Sequence, residues 1–325
     1  MTFECNFQVS VRGASGTIYQ VIITLSILLS QLFGLTYLLG TRQLWPLLLS
    51  LTAFPAILQL ILLQFCPESP SYLAVVLKDQ EKAKQSLQWL RKGGHEVIKD
   101  ELADLQLEAE GQQDVSIKTL LCTASLRRPL IIGVMMMFAQ QLTGINAVIF
   151  YSTNVFKTAG LTFDHAQEAT IGLGAANFVM ALLTVFIVDA AGRKVLMLLG
   201  MGGMAVSMLV LFMCLMFKWI SPMVSVFSLI LYIVFFAIGP GPIPWLILPE
   251  LVPHAARNAT VAIAVSTNWI VNFAVSWAFQ PLVNMIGPFV FLIFILITGC
   301  FIFYVRHFVP ETKGKTVAQI QAIFQ

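Results

Sequence analysis

The sequence predicts an all-α integral membrane protein with about eight transmembrane helices. Of the 325 residues, 58% are hydrophobic and only 11% charged, and the mean hydropathy is +0.84. The apolar residues also gather into runs of the roughly 20 residues that a bilayer core demands. No aqueous core hides so much apolar side chain at this length. The runs lie at roughly 17–39, 44–65, 129–151, 168–188, 195–217, 223–249, 259–283 and 286–305.

Residues 1–11 form a divergent start that is neither a signal peptide nor a span. Residues 12–65 hold the first two spans. In the first, Gln20, Ile27 and Gln31 are spaced by seven and four, which places them on one helical face. The polar stretch 66–127 reads as a cytoplasmic helical linker. Asp79 caps a helix carrying Ala83, Leu87 and Leu90 on one side, and Ile98, Leu102, Leu105 and Ala109 form a second stripe. Six further spans fill 128–308, and 309–325 is a cytoplasmic tail.

The third span carries Met135-Met136-Met137, read as lipid-facing or core packing, followed by Gln140, Gln141 and Asn146. The sixth is broken by Gly239-Pro240-Gly241-Pro242-Ile243-Pro244-Trp245. Its prolines remove amide donors and clash one turn back. In hydrocarbon such backbone persists only where protein buries it or it lines a wet cavity, so Gly239, Pro240, Gly241, Pro242 and Pro244 are the expected hinge of a solute path. In the seventh span Asn268 and Asn272 stand i,i+4 with Trp269 beside them. Trp45 and Trp219, near span ends, read as interfacial anchors.

Charge orients the spans. With both termini in the cytoplasm, sixteen of the nineteen Lys and Arg fall inside, leaving Arg42, Lys157 and Lys218 outside. The net charge of +3 is therefore topology, and nucleic acid is excluded as a partner. Five scattered cysteines and four dispersed histidines give neither a disulfide framework nor metal spacing, and no cofactor motif is present. The lone N-x-[ST] acceptor, Asn258-Ala259-Thr260, falls on the cytoplasmic side, where it stays unglycosylated.

Six motifs in register resemble the facilitative hexose transporters, the glucose-transporter (solute carrier 2) branch of the major facilitator superfamily sugar porters. They are Arg12-Gly13, Pro67-Glu68-Ser69-Pro70, the run from Gln140 to Asn146, Asp189-Ala190-Ala191-Gly192-Arg193-Lys194, Gly239–Trp245 and Pro310-Glu311-Thr312-Lys313-Gly314. The resemblance implies twelve helices in two halves with sugar bound between them. This chain supplies the equivalents of helices five to twelve, with a complete carboxyl half and a truncated amino half.

A neutral polyol suits uncharged groups that both donate and accept, as Gln and Asn amides do. By position in the family motifs, Gln140, Gln141 and Asn146 resemble the amides that bond the sugar. Gln20, Asn177 and Asn272 resemble further polar contacts, and Trp245 and Trp269 the aromatics that face the pyranose. Each amide has an alternative as interhelical glue worth roughly 0.6–2 kcal/mol, the reading favoured for Gln31 and Asn177. Asn268 is expected to help order its helix. In the family, charges at inner helix ends latch the halves together, which points to Arg12, Glu68, Asp189, Arg193, Lys194, Glu250 and Arg257. Ser71 stands where the family has Arg, so a weakened outward bias is expected.

D-glucose is the first expected substrate, with fructose second because Met137-Phe138-Ala139 replaces the usual Gln-Leu-Ser. No phosphate-binding loop is present and acids avoid the span interiors, which favours facilitated diffusion without energy coupling. The predicted partners are a hexose, membrane lipids and an oligomeric or complementing chain. A truncated, non-transporting product or regulatory partner of a full-length transporter is the alternative. An intramembrane enzyme has the least support, since no acid–base pair or nucleophile constellation lies at membrane depth.

Overall fold

The computed structural model describes residues 12–90, 102–103 and 115–324, apart from Ser71, Lys218, Trp219, Thr316 and Ile323. The 1–11 start, the Trp219 anchor, Ile98, Leu105, Ala109 and the side chains of Arg12 and Asp189 lie outside the described residues. Every regular element described is helical. The chain divides into two units, one running Phe33–Asp114, the other joining the first helix up to Leu32 with Val115–Gln325.

In the smaller unit, α2 (Trp45–Ser50) and α3 (Ala53–Leu63) form one apolar stretch with no buried residue. Past Pro67-Glu68-Ser69-Pro70, a wide turn at Tyr72–Val76 leads into α4 (Gln80–Leu90). The expected cap is present: Asp79 Oδ1 accepts from the Lys82 N–H at 3.1 Å, and Lys82 Nζ stands 2.9 Å from Oδ2. Ala83 packs with Leu73 and Ala74, and Leu102 covers them. The Lys82 side chain first, then its backbone N–H, hold the Asp79 carboxyl below its ordinary 3.8. A lowered folded-state value means that the cap stabilises α4 fully above that ordinary value and is lost as pH falls through the lowered one. Amide exchange at Lys82 is expected to accelerate over that acid window and to be fast at neutral pH in Asp79→Ala.

In the larger unit, α1 (Arg12–Phe33) is followed in sequence by α5 (Ile117–Cys122), α6 (Ala124–Leu142), α7 (Ile145–Thr158), α8 (Phe163–Ala191) and α9 (Arg193–Met216). Then come α10 (Pro222–Ile238), α11 (Ile243–Leu251), α12 (His254–Ile286), α13 (Val290–Phe308) and α14 (Val317–Ala322). Six helical runs across the described chain are long and apolar enough to cross a membrane, with Ile18–Phe33 a shorter apolar helix. The last of them, Ala255–Phe308, contains both α12 and α13, divided by a tight turn at Gly287–Phe289. The eight expected spans are helical over most of their lengths, the first only as far as Phe33, beyond which 34–39 forms turns. The third is not the continuous helix expected over 129–151. It breaks at Thr143 and Gly144, where Gly144 adopts φ 90° and ψ 17°, a left-handed conformation that favours glycine.

Two apolar cores stack along the bundle. One holds Met136, Met197, Met201, Ile243, Ile247, Phe301 and Val305. The other holds Val148, Phe156, Met208, Leu211, Tyr232, Phe279 and Phe294. Both broken helices switch from one core to the other at their breaks. Met136 and Met137 are fully buried, so that run is core packing rather than a lipid face. Outward residues stay apolar, Phe186 on α8 and Phe273 on α12 among them, as a lipid solvent permits.

Helices α9 and α10 approach through glycine. A Cβ on Gly200 would lie 2.7 Å from the Phe235 carbonyl oxygen and from the Pro240 ring, and one on Gly239 would lie 2.5 Å from the Leu196 carbonyl oxygen. Small residues let membrane helices touch backbone to backbone. Gly200→Val is expected to lower stability by about 3 kcal/mol, the upper end for overpacking, read as a lowered thermal unfolding midpoint in detergent.

Candidate functional site: a buried amide relay at two helix breaks

The prolines of the sixth span leave carbonyls without helical partners. Pro240 O would ordinarily accept from the N–H four residues on, but that residue is Pro244. Gln140 Nε2 fills the gap, donating to Pro240 O at 2.9 Å and to Gly241 O at 2.7 Å. Ala237 O, stranded because the Gly241 N–H bonds Phe236 O, accepts from Thr184 Oγ1 at 3.1 Å. At the other break, Thr143 O accepts from the Tyr232 hydroxyl at 2.9 Å. Tyr232, Thr143, Thr184 and Gln140 are all buried, as hydrogen-bonding groups in a dry interior must be if they are to satisfy one another.

From Gln140 the bonds continue side chain to side chain. Asn268 Nδ2 donates to Gln140 Oε1 at 2.7 Å and lies 3.4 Å from Met137 Sδ. Gln141 Nε2 donates to Asn268 Oδ1 at 3.0 Å, and Asn146 Nδ2 donates to Gln141 Oε1 at 2.5 Å. The result is an uncharged relay: hinge carbonyls, Gln140, Asn268, Gln141, Asn146. Asn268 is 2% exposed, Gln140 and Gln141 scarcely more, while Asn146 is half-buried and forms the accessible end. Each amide has two N–H groups and two lone pairs, so Asn146 keeps capacity to donate to and accept from a hydroxyl.

The other predicted residues are placed variously. Trp245 is half-buried on α11, with its ring 6.0 Å from that of Tyr19 on α1. Gln20, next to Tyr19, is half-buried. Asn272 is half-buried and accepts from Ser276 Oγ at 3.2 Å. Asn177 is 3% exposed on α8 and its Oδ1 has no partner. Gln31 fills the notch left by Gly174, three residues before Asn177. Trp269 is 58% exposed and stands outside the relay. It follows Asn268 directly, and successive helical residues point about 100° apart.

At the far end of the bundle Arg193 Nη2 lies 3.3 Å from Glu250 Oε1, and Arg257 Nη2 donates to Pro249 O at 3.3 Å. Lys194 is half-buried at the start of α9, and Glu68, in the smaller unit, is exposed. Glu311 is a further member of this cluster. Its Oε1 accepts from the Arg193 N–H at 2.9 Å and its Oε2 from the Lys194 N–H at 3.1 Å, with Thr312 and Lys313 N–H also bonding Oε1. A carboxylate there caps the first turn of α9 and complements its dipole. Glu311→Ala is expected to cost about 1–2 kcal/mol, the range of a lost cap, and to speed amide exchange at Arg193 and Lys194 selectively.

Three signals for these residues were available in the sequence. Thr143-Gly144 lies between two amide-bearing segments, a proline four residues after Pro240 orphans its carbonyl, and Glu311 is the one acid of the Pro310–Gly314 motif. Nothing in the linear pattern paired Tyr232 with Thr143, because the two lie 89 residues apart in the sequence.

The family model described as "Sugar (and other) transporter" matches residues 8–324. The chain is 42% identical over 320 residues to solute carrier family 2, facilitated glucose transporter member 2 of Sus scrofa. It is 43% identical over 323 residues to member 4 of Homo sapiens. Each alignment covers 97% of this chain and 60% and 62% of the relative respectively, so the chain spans about three-fifths of the length of these curated relatives. Among solved structures, the proton:xylose symporter XylE bound to 6-bromo-6-deoxy-D-glucose superimposes with a TM-score of 0.82 at 28% identity. That match covers 100% of this chain and 70% of the symporter. A partially occluded inward-open form of XylE from E. coli gives 0.80 at 27% identity, over 97% and 67%.

Proposed function

Because the chain belongs to the sugar (and other) transporter family, a family of transporters rather than enzymes, we propose that it carries a neutral hexose, D-glucose first and fructose second, across a membrane. The observation that supports this reading best is the uncharged amide relay from the hinge carbonyls to Asn146. It meets a polyol with donors and acceptors and no fixed charge, which suits a ligand that must be both bound and released. Gln20, Gln140, Gln141, Asn146, Asn177 and Asn272 supply polar contacts, and Trp245 offers an apolar ring face to the sugar C–H groups.

Movement follows from the same geometry. Two helices break where the two apolar cores meet, so α7 and α11 can reorient against α6 and α10 at small cost, while rearrangement of the amides biases one state over the other. In this reading the site alternates between the two sides of the membrane by facilitated diffusion. Arg12, Glu68, Asp189, Arg193, Lys194, Glu250 and Arg257 act as a cytoplasmic latch that opens and closes with that exchange. Plasma-membrane insertion with both termini in the cytoplasm is part of the proposal. Asn258, exposed at the start of α12, then carries no glycan, and a mass loss on treatment with an N-glycosidase would reverse the orientation.

The test is binding and uptake by purified protein in proteoliposomes. Saturable D-glucose binding that quenches tryptophan fluorescence, with L-glucose inert, is the expected result, accompanied by D-glucose uptake. Equal responses to the two enantiomers would refute a sugar site. Stereoselective binding without uptake would refute autonomous transport and favour a regulatory partner.

A further inference from the structure

We infer that the larger unit holds a second binding site, for a small uncharged molecule with a flat apolar body and a single hydroxyl, at the end of the bundle opposite the Arg193–Glu250–Glu311 cluster. A cavity of about 250 Å³ opens there between α7, α9, α12 and α13. Its walls are aromatic: the Tyr151 and Phe279 rings stand 5.0 Å apart, and Phe291 meets Phe279 edge-on at 6.2 Å. Val155, Leu215 and Val283 close the apolar lining. No charged side chain lines it among the described residues, so an ion entering it would shed its water with nothing to replace it.

The rim is polar and only partly committed. Gln280 Nε2 donates to Asn284 Oδ1 at 3.1 Å, leaving Gln280 Oε1 as an acceptor, and exposed Asn154 lines the same rim. Thr158 Oγ1 spends its proton on Asn154 O at 2.9 Å and retains lone pairs. These groups satisfy one ligand hydroxyl. They would strand the remaining hydroxyls of a hexose against aromatic walls, so this is not a second sugar site. An apolar cavity of about 150 Å³ accepts a benzene ring, and the larger volume here suits a fused bicyclic one.

Occupancy reaches the amide relay through two rings. Phe279 stacks on Phe294 at 6.2 Å and 27°, and the Phe294 ring lies 3.0 Å from where a Cβ on Gly144 would sit. A ligand braced against Phe279 therefore restrains the turn at which α6 hands over to α7. That consequence rests on the sugar-carrying function proposed above, whereas the site itself does not.

The probe is 1-naphthol, titrated against the full chain in phosphatidylcholine nanodiscs, with empty nanodiscs giving the partition background. Saturable binding above background is expected, with the anion 1-naphthoate at least tenfold weaker. Val283→Phe and Leu215→Phe, from different helices, fill the cavity and are each expected to weaken naphthol at least tenfold while helix content and thermal midpoint hold. Equal affinity for naphthol and naphthoate, or equal affinity in wild type and both folded variants, would overturn the site. If both variants unfold, the naphthol–naphthoate comparison decides alone. D-glucose affinity is expected to change at least threefold at saturating naphthol. An unchanged value, where glucose binds, overturns the coupling, and a chain that binds naphthol but no glucose separates this site from the carrier reading.

Discussion

Asn268→Leu is expected to abolish stereoselective D-glucose binding while leaving a folded, less stable protein. Asn268 is the joint of the relay: its Nδ2 donates to Gln140 Oε1 and its Oδ1 accepts from Gln141 Nε2. A leucine does neither, so two glutamine groups lose their partners in a dry interior. Unsatisfied buried groups cost about 1–3 kcal/mol each, but hydrogen bonds between membrane helices average nearer 0.6 kcal/mol because freed groups find other partners. A loss of about 2 kcal/mol therefore follows, seen as a lowered unfolding midpoint. The loss of binding is expected to exceed it, since Gln140 Oε1 then turns to a new donor and Gln141 Nε2 to a new acceptor.

Asn268→Asp separates positioning from bulk. Its ionised carboxyl still accepts from Gln141 but presents a lone pair to Gln140 Oε1, where a donor is needed. Once protonated it donates one O–H there and keeps an acceptor for Gln141. Glucose binding by Asn268→Asp is therefore expected to recover as pH falls, while wild type stays flat over the same range. A variant whose defect ignores pH would show that Asn268 acts only through packing.

The spans were legible because hydropathy and length are additive properties of a sequence, and each of the eight runs is mostly helix, the first ending early at Phe33. The break at Gly239–Trp245 was legible because three prolines deny the backbone its donors wherever they sit. Gln140, Gln141 and Asn146 could be singled out as amides, but what they bond could not. Asn268 was read as a helper of its own helix because its neighbour Trp269 attracts attention on chemical grounds. The two side chains point apart, and the inward one joins α12 to α6. Tyr232 was hidden for a different reason: its role is to satisfy Thr143 O, a need created only when α6 and α7 separate at Gly144. Partners of that kind are defined by tertiary structure, so a linear pattern carries no trace of them.

Gly144→Val is expected to be the most damaging single change in the bundle, lowering stability by more than about 3 kcal/mol and abolishing glucose binding. Two costs combine. A β-branched residue at φ 90° is a genuine outlier, and left-handed backbone costs roughly 1–2 kcal/mol for a residue bearing a Cβ. The new Cβ would also lie 3.0–3.1 Å from three atoms of the Phe294 ring, and forcing such a ring aside in a filled core adds about 1–3 kcal/mol. Phe294→Leu tests the division. In the double variant it is expected to restore only the steric share, because the backbone share belongs to position 144 itself. Gly144→Ala is then expected to fall between wild type and Gly144→Val in both thermal midpoint and glucose affinity. Should Gly144→Val instead unfold at the wild-type temperature, the left-handed turn would not be the joint on which Gln141 and Asn146 meet. The relay would then have to be held by α12 alone.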